Sequence, residues 1–172
     1  MPKLAMRKFL KTLRNQKKPV IIFTDFDGCL TDDRVWLNAA GEEFVAANRK
    51  DGLAIQRLNK IGIKVVIAST ETNKVVKARG KKIKVEVLQG LENKTKAIQD
   101  YLKSKKITWD QVWYIGNDLN DLGPIQKAGI SLCPNDATRK IKKHVDYKLK
   151  TNGGYGILSE LVTYLESGKG KF

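Results

Sequence analysis

The fold of this chain is decided by one stretch near its start, Val20-Ile21-Ile22-Phe23-Thr24-Asp25-Phe26-Asp27-Gly28-Cys29-Leu30-Thr31. Its first half is a run of β-branched and aromatic residues, which is typical of a buried strand. The run ends in two carboxylates, Asp25 and Asp27, before a glycine that permits a sharp turn. Open α/β sheets keep their active sites at the carboxyl ends of buried strands, although Asp and Gly are also common in ordinary turns. The stretch alone leaves an active site and a solvated turn open.

Strand-like and helix-like segments alternate along the rest of the chain. The predicted strands are 64–68, 85–88, 112–115, 130–133 and 147–149, and the predicted helices are 51–61, 73–82, 93–103, a short helix ending at 128, 137–143 and 157–167. This alternation predicts an α/β fold with right-handed crossovers, in which a mainly parallel sheet carries helices on both faces. Two strand-like runs within 35–46 predict an inserted β-hairpin beside the paired aspartates. Asp51 is predicted to be the N-cap of the helix that follows.

The composition predicts a globular domain over residues 19–172 that attracts anions. Apolar residues make up 41% of the 172 residues, and 33 Lys and Arg against 18 Asp and Glu give a net charge of +15. Because the lysines are spread along the chain, we expect a phosphorylated small molecule as the partner and keep nucleic acid only as a minor alternative. The two cysteines lack metal-ligand spacing, which favours the reducing cytoplasm. No apolar run approaches the ~20 residues of a membrane span, so stable membrane binding is not expected.

Residues 1–18 have the pattern of a basic amphipathic helix that ends before Pro19. Such a helix can lie on a membrane surface. The alternative, which we favour because the segment is short, is a helix docked on the domain or on a neighbouring subunit.

Polar clusters follow three of the predicted strands, which favours the active-site interpretation. Because the carboxyl ends of parallel strands meet at one edge of a sheet, these side chains should lie together. Hydrolysis of a phosphate monoester needs a nucleophile, and Asp25 can attack phosphorus to give an aspartyl-phosphate. Asp27 can protonate the leaving alcohol and later deprotonate water. The clusters are Asp25 with Asp27, Ser69 with Thr70, and Asn117 with Asp118 and Asp121.

The remaining polar residues have the chemistry to bind phosphate and a hard cation. Ser69 and Thr70 offer hydroxyls to a phosphoryl oxygen, and Lys94 supplies a positive charge for the nucleophile and the transferring group. Oxygen ligands are what Mg²⁺ prefers in proteins. The predicted magnesium ligands are Asp25, Asp27 through its backbone carbonyl, Asn117, Asp118 and Asp121.

The order of these motifs resembles the haloacid dehalogenase superfamily from about Val20 to Leu165. The resemblance implies a Rossmann-like fold, Mg²⁺ and an Asp25 nucleophile. Only 23 residues separate Asp27 from Asp51, too few for a separate cap domain. The hairpin instead resembles the capless branch typified by 3-deoxy-manno-octulosonate 8-phosphate phosphatase, which implies a homotetramer built through the hairpins, with a neighbouring subunit closing each site.

Three residues bear on the substrate. In octulosonate phosphatases an arginine matches Glu71, whereas relatives acting on nine-carbon sugar acids have a glutamate there, followed by an arginine and a lysine. Here Arg79 and Lys82 fall at those places. The resemblance therefore implies ketodeoxynonulosonate or N-acylneuraminate 9-phosphate as substrate, with the eight-carbon sugar phosphate as alternative. A solvated basic helix with a capping glutamate explains the same residues equally well.

Departures from the family pattern leave a third interpretation open. Asn117 stands where many members have a metal-binding aspartate, and Tyr155 and Ser159 stand where octulosonate phosphatases have arginines. The chain also resembles the C-terminal domain of some sialate cytidylyltransferases. An oligomerisation domain with weak activity is therefore an alternative to a working phosphatase.

Overall fold

The computed structural model describes residues 19–167, so the predicted helix over 1–18 lies outside the described residues. The strands are β1 (Ile21–Thr24), β2 (Thr31–Leu37), β3 (Glu43–Ala47), β4 (Lys64–Ala68), β5 (Glu86–Leu88), β6 (Val112–Ile115), β7 (Ile130–Cys133) and β8 (Tyr147–Lys148). The helices are α1 (Arg49–Lys60), α2 (Lys74–Ile83), α3 (Lys94–Lys105), α4 (Leu122–Lys127), α5 (Arg139–His144) and α6 (Ile157–Ser167). Single 3₁₀ turns precede β6 and α4.

The main sheet has six strands in the order β5-β4-β1-β6-β7-β8, and every neighbouring pair is parallel. The chain leaves β1 toward β4 and β5 on one side, then crosses to β6, β7 and β8 on the other. The strand order therefore reverses at β1, and such a reversal opens a crevice at the carboxyl ends of the strands. The predicted parallel α/β sheet is confirmed, and Asp25 directly follows its central strand.

Helices cover both faces of this sheet, as predicted. Successive β1 side chains point to opposite faces, so Ile22 packs with α1 and α6 residues such as Leu58 and Leu161. Phe23 packs on the other face with Ile98 of α3. These side chains are almost fully buried. The two apolar layers hold β1 rigidly, which fixes where the carboxylates after it begin.

The hairpin β2–β3 forms its own antiparallel sheet, with Trp36 opposite Phe44. It is longer than the predicted span of 35–46, because β2 starts at Thr31 and β3 ends at Ala47. Trp36 and Phe44 are each more than half exposed. Within the described chain, only this hairpin lies between the first motif and α1, so the expected absence of a separate cap domain is confirmed.

The predicted N-cap of α1 is wrong. The cap is Asn48, whose side chain accepts a hydrogen bond from the amide of Lys50 at 3.0 Å. Asp51 lies inside the first turn and is buried, and its Oδ1 accepts the amide of Leu158 at 2.9 Å. Because the helix starts at Arg49, two residues before Asp51, this carboxylate caps α6 instead of its own helix. No helix between residues 19 and 167 has the length and apolar character needed to cross a bilayer.

Candidate active site

The deepest part of the site is built around Asp25. Its Oδ1 accepts the amide of Phe26 at 2.7 Å, and its Oδ2 lies 2.7 Å from Nζ of Lys94. Lys94 is the first residue of α3, which Asn93 caps by accepting the amide of Lys96. The Lys94 side chain is 1% exposed. The predicted pairing of Lys94 with Asp25 is therefore present in the structure.

Asp121 holds the other side of Lys94. Its Oδ1 lies 2.7 Å from Nζ of Lys94 and accepts the hydroxyl of Tyr114 at 2.6 Å. Its Oδ2 accepts the amides of Asn117 at 2.9 Å and Asp118 at 3.3 Å. The carboxylate is fully buried and both oxygens are engaged. The structure does not place Asp121 for its predicted role as a metal ligand, because its oxygens already accept four donors; it positions Lys94 instead. We call Asp25, Lys94, Asp121 and Tyr114 the floor of the site.

The electrostatics of the floor follow from burial around one cation. Burial, followed by the charge of Asp121, raises the pKa of Asp25, and Lys94 opposes that rise. Burial alone lowers the pKa of Lys94, but the two carboxylates outweigh it and hold that pKa above its usual value. The lysine therefore stays charged between two acids. The floor has an excess of negative charge that a bound cation would offset.

Asp27 lies closer to solvent, in a cavity of about 270 Å³. Its Oδ1 accepts the hydroxyl of Thr31 at 3.4 Å. Burial, followed by the charges of Glu71 and Asp33, raises the pKa of this carboxyl. A carboxyl whose pKa is moved toward neutrality suits proton transfer in both directions. The cavity is lined by Asp25, Asp27, Asp33, Asn117, Asp118, Leu119 and Asn120.

Sequence reasoning missed three of these lining residues: Asp33, Leu119 and Asn120. The Asp-Asp pair after Thr31 was the available signal for Asp33, but nothing in it says which carboxylate faces the cavity. In the structure Asp32 pairs with Arg34, and Asp33 lines the cavity. We call Asp27, Asp33, Asp118 and Asn120 the mouth of the site.

The loops after β4 and β6 meet beside the cavity. Ser69 is buried, its amide donates to the carbonyl of Leu88, and its Oγ accepts the amide of Glu71 at 3.0 Å. Thr70 is exposed, and its Oγ1 accepts the amide group of Asn120 at 3.4 Å. The hydroxyl of Ser69 keeps a hydrogen to donate. Phosphate binding by Ser69 and Thr70 stays a prediction that this geometry allows.

The three predicted substrate residues are separated in the structure. Glu71 caps its own turn, because its Oε1 accepts the amides of Thr72 at 2.6 Å and Asn73 at 2.8 Å, yet it is close enough to act on the pKa of Asp27. Arg79 and Lys82 line a different cavity of about 610 Å³ between α1 and α2, and Arg79 donates to the carbonyl of Asn48 at 2.7 Å. Within one subunit the structure does not bring Arg79 and Lys82 to the cavity of Asp25.

Asn117 is held firmly by the first motif. A Cβ on Gly28, which has a φ of +67°, would lie 1.9 Å from Nδ2 of Asn117. The thiol of Cys29 lies 3.9 Å from Oδ1 of the same amide. Only glycine therefore fits at position 28, for its backbone conformation and for the space that the amide occupies.

The residues around Asn117 fit a hard cation. Within residues 19–167 no three His, Cys, Asp or Glu side chains are grouped closely enough to hold a metal by themselves. Backbone and amide oxygens must complete such a site. Asp118 uses Oδ1 to accept the amide of Leu119, and its side chain also takes part in a capping box with Asp121. The oxygen donors that fit Mg²⁺ are Asp25, the backbone carbonyl of Asp27, Asn117 and Asp118.

The C-terminal glycine segment packs directly on the first motif. The amide of Gly154 donates to the carbonyl of Cys29 at 2.9 Å, and a Cβ on Gly153 would lie 2.0 Å from the carbonyl oxygen of Gly28. Tyr155 is 59% exposed, and Ser159 lies in the first turn of α6. The segment thus reaches the site without the arginines expected from octulosonate phosphatases.

Comparison with known proteins identifies the family. A sequence profile of haloacid dehalogenase-like hydrolases matches residues 70–161. The 3-deoxy-D-manno-octulosonate 8-phosphate phosphatase KdsC of Haemophilus influenzae is 34% identical over 152 residues, which cover 87% of this chain and 84% of that protein. This chain belongs to the haloacid dehalogenase-like hydrolases. The family match and the similarity to a phosphatase confirm the predicted fold and the predicted enzyme class, a phosphatase.

Two further similarities extend the comparison. N-acylneuraminate cytidylyltransferase A of Danio rerio is 30% identical over 149 residues, which cover 84% of this chain but only 34% of that protein. The chain thus spans about a third of that relative. A 3-deoxy-D-manno-octulosonate 8-phosphate phosphatase from Moraxella catarrhalis, crystallised with magnesium, phosphate and KDO, superposes with a TM-score of 0.86 at 26% identity, covering 95% and 92% of the two chains.

Proposed function

We propose that this protein is a Mg²⁺-dependent phosphatase that hydrolyses a phosphorylated 2-keto-3-deoxy sugar acid through an aspartyl-phosphate. One observation carries the proposal: Lys94 is buried between Asp25 and Asp121 at the strand reversal, with Asp27 beside them in the open cavity. This arrangement supplies a fixed nucleophile, a fixed cation and a separate proton carrier. These are the parts that phosphoryl transfer to a carboxylate needs.

In the first step a carboxylate oxygen of Asp25 forms a bond to phosphorus as the ester oxygen leaves. The proton of Asp27 passes to that oxygen, so that the sugar departs as an alcohol. Lys94 keeps the nucleophile in place and offers its charge to the phosphoryl oxygens as they approach. The raised pKa of Asp27 supports its protonated form at the start.

In the second step Asp27 takes a proton from water as that water attacks the phosphorus of the aspartyl-phosphate. The P–O bond to Asp25 breaks, which releases phosphate and restores both carboxyl groups. Mg²⁺, held by Asp25, the carbonyl of Asp27, Asn117 and Asp118, would supply positive charge that offsets the phosphoryl group. Without a cation, the acids that line the cavity would repel a phosphate dianion.

For the sugar we propose a preference for a nine-carbon acid, ketodeoxynonulosonate or N-acylneuraminate 9-phosphate. Glu71 supports it, since its carboxylate lies near Asp27 and can accept sugar hydroxyls. Similarity to a cytidylyltransferase of N-acylneuraminate points to the same class of sugar. The eight-carbon octulosonate 8-phosphate is the second candidate, because the phosphatases similar to this chain are named for it.

We also propose a homotetramer assembled through the hairpin, in which a neighbouring subunit completes each site. The exposed Trp36 and Phe44 support an interface there, since large apolar side chains in a contiguous exposed patch favour association. Arg79 and Lys82 would then bind the sugar-acid carboxylate from a neighbouring subunit, because their own cavity is separate from that of Asp25. A cytoplasmic location and the absence of nucleic-acid binding stay predictions.

Phosphate release from the two sugar-acid phosphates, with and without Mg²⁺, tests the activity. Release should require Mg²⁺ and fall by at least about 10⁴-fold in Asp25→Asn, since the nucleophile is lost. Asp32→Asn is a matched control, because Asp32 pairs with Arg34 outside the cavity. Activity that survives in Asp25→Asn would exclude the nucleophile. A tetramer without turnover on any sugar phosphate would favour the oligomerisation-domain alternative.

A second experiment tests the specificity and the subunit arrangement. Glu71→Arg should shift kcat/KM toward the eight-carbon substrate, and an unchanged preference would remove Glu71 from substrate selection. Mixing Asp25→Asn subunits with Lys82→Ala subunits should restore part of the activity if the lysine acts across an interface. No recovery from two inactive parents that do exchange subunits would place Lys82 in its own site or outside catalysis.

A further inference from the structure

Asp33 occupies a backbone conformation that residues other than glycine seldom adopt. Its φ is +66°, in the left-handed region that favours glycine. Such conformations cost energy, and they concentrate at functional sites where the surrounding structure enforces them. The amide of Asp33 donates to Oγ1 of Thr31 at 3.3 Å, and the strand pairing is irregular between Thr31 and Val35. The turn thus explains the backbone but not the choice of a charged side chain.

The carboxylate of Asp33 has no hydrogen-bond or ion-pair partner among residues 19–167. The neighbouring acid Asp32 accepts two hydrogen bonds from Arg34, at 2.9 and 2.6 Å, so the local cation is already used. Burial, followed by the charges of Asp118, Asp136 and Asp32, holds the pKa of Asp33 above its usual value. Backbone strain at Asp33 and repulsion from nearby carboxylates both reduce the stability of the folded protein.

Asp33 lines the same cavity as Asp25 and Asp27. The chemistry derived above uses Asp25, Asp27 and Lys94, and a further negative charge at the mouth works against a phosphate dianion. A carboxylate has one clear advantage there: it accepts strong hydrogen bonds from hydroxyl groups of the part of the substrate that points outward. A phosphate attacked by Asp25 would lie on the floor, so the leaving group would extend past the mouth.

We propose that Asp33 is a specificity-determining residue that selects polyhydroxylated leaving groups by accepting hydrogen bonds from their hydroxyls. This inference rests on the proposed phosphatase function, but it does not depend on which sugar acid is hydrolysed. It predicts that Asp33 contributes to the cleavage of polyol esters and contributes nothing to esters whose leaving group has no hydroxyl. Sites that hydrogen-bond a substrate hydroxyl discriminate strongly against analogues that lack it.

The test compares Asp33→Gly, Asp33→Asn and the control Asp32→Asn on three kinds of ester. These are the sugar-acid phosphates, sorbitol 6-phosphate as a polyol without a carboxylate, and p-nitrophenyl phosphate without hydroxyls. Asp33→Gly should lower kcat/KM for the first two by about tenfold, mainly through KM. It should leave p-nitrophenyl phosphate within about twofold or slightly improved. The kcat/KM values of Asp33→Asn should lie between those of wild type and Asp33→Gly. Asp32→Asn should match wild type on all three esters.

Two further measurements distinguish a role of Asp33 in substrate recognition from a role in folding or in Mg²⁺ binding. Asp33→Gly should melt no lower than wild type, because glycine relieves the left-handed strain. The Mg²⁺ concentration for half-maximal activity should stay unchanged in both Asp33 variants. Equal loss on all three esters, no loss on any, or a raised Mg²⁺ requirement would each overturn the inference.

The same experiment distinguishes failure of this inference from failure of the proposed function. Wild type that cleaves sorbitol 6-phosphate and p-nitrophenyl phosphate but no sugar-acid phosphate refutes the proposed substrate class, and the sorbitol ratio still decides the role of Asp33. Wild type that cleaves none of the esters refutes both.

Discussion

The floor and the mouth of the site are built from the same kind of residue under opposite conditions. On the floor, Asp25 and Asp121 share one buried lysine, and every oxygen of Asp121 accepts a donor. At the mouth, Asp33 has no cation among the described residues, and Asp27 has only the long hydrogen bond from Thr31 at 3.4 Å. The carboxylates of the floor are thus fixed by the protein, whereas Asp27 and Asp33 at the mouth are left to be satisfied by a ligand.

This difference indicates which part of the site affects the stability of the folded protein. A buried ion pair costs desolvation energy that only good geometry repays, and removing one partner exposes that cost. The mouth is more exposed, so a change there should alter binding with little effect on folding. The predictions below test this division, from the largest expected effect to the smallest.

Lys94→Met should break the floor. Two buried carboxylates would lose the one cation that pairs with them among residues 19–167, so we expect a stability loss of about 3–5 kcal/mol in denaturant unfolding and an activity loss of at least about 10³-fold. The control Lys96→Met lies on an exposed position of the same helix and should change both values little. A fully stable Lys94→Met protein would show that the floor is not held by charge.

Asp51→Asn tests a buried carboxylate that forms no ion pair with a lysine in the described part of the chain. Burial raises the pKa of Asp51 from 3.8 to about 6. Between these pH values the folded chain keeps a proton that the unfolded chain has lost, so wild-type stability should fall as pH rises from about 4 to 6 and stay reduced above. Asp51→Asn should remove this component, on the order of 2 kcal/mol, in unfolding midpoints measured from pH 4 to 8.

One result would contradict the expectation for Asp51. One oxygen of this carboxylate has no partner, while the other accepts the amide of Leu158. If wild type and Asp51→Asn keep a constant stability difference across that pH range, the carboxyl titrates normally and its burial costs nothing.

Asn117→Asp tests metal binding by a residue that lies between the floor and the mouth. A charged oxygen in place of the amide oxygen should tighten Mg²⁺ binding about tenfold in calorimetric titrations, since hard cations prefer carboxylates. Asn120→Asp, a charge added at the mouth away from the first motif, should have a smaller effect. Unchanged affinity in Asn117→Asp would exclude position 117 from the metal site.

Tyr114→Phe should give the smallest change. It removes one of the four donors to Asp121, and because the other three remain, we expect a stability loss of roughly 1 kcal/mol in denaturant unfolding, the net value of a typical hydrogen bond. Tyr101→Phe is the matched control, because that hydroxyl bonds Lys64 and Glu86 at the surface. Equal effects in the two variants would mean that burial of the floor adds nothing to this bond.

Much of the fold and part of the site were predictable from the sequence. Buried strands have an apolar pattern that ends at a definite residue, and parallel strands bring those ends to one edge. Asp25, Asp27 and Asp118 were predicted in this way, Lys94 was predicted from its charge, and the structure brings all four to one site. The role of Asp121 was not predictable, because it depends on Lys94, which lies 27 residues away and pairs with Asp25 as well.

Arg79 and Lys82 show the opposite limit. They follow Glu71 closely in sequence, but α2 leads away from the sheet edge at about 1.5 Å per residue, which places them about 8 and 12 Å beyond Lys74 along the helix. Proximity in sequence therefore did not become proximity in the site. Asp51 shows the converse, because its partner Leu158 is 107 residues away in the sequence but lies within hydrogen-bond distance.

The sequence by itself determined the parallel α/β sheet, the paired aspartates after its central strand and the chemical types of the catalytic groups. These follow from local apolar patterns and from residues that stand at the ends of strands. Only the tertiary structure decided which carboxylates are neutralised and which are left open, because that depends on donors brought together from distant segments. It also decided that Asp33, and not Asp32, faces the cavity, because a single left-handed residue reverses which neighbour points inward.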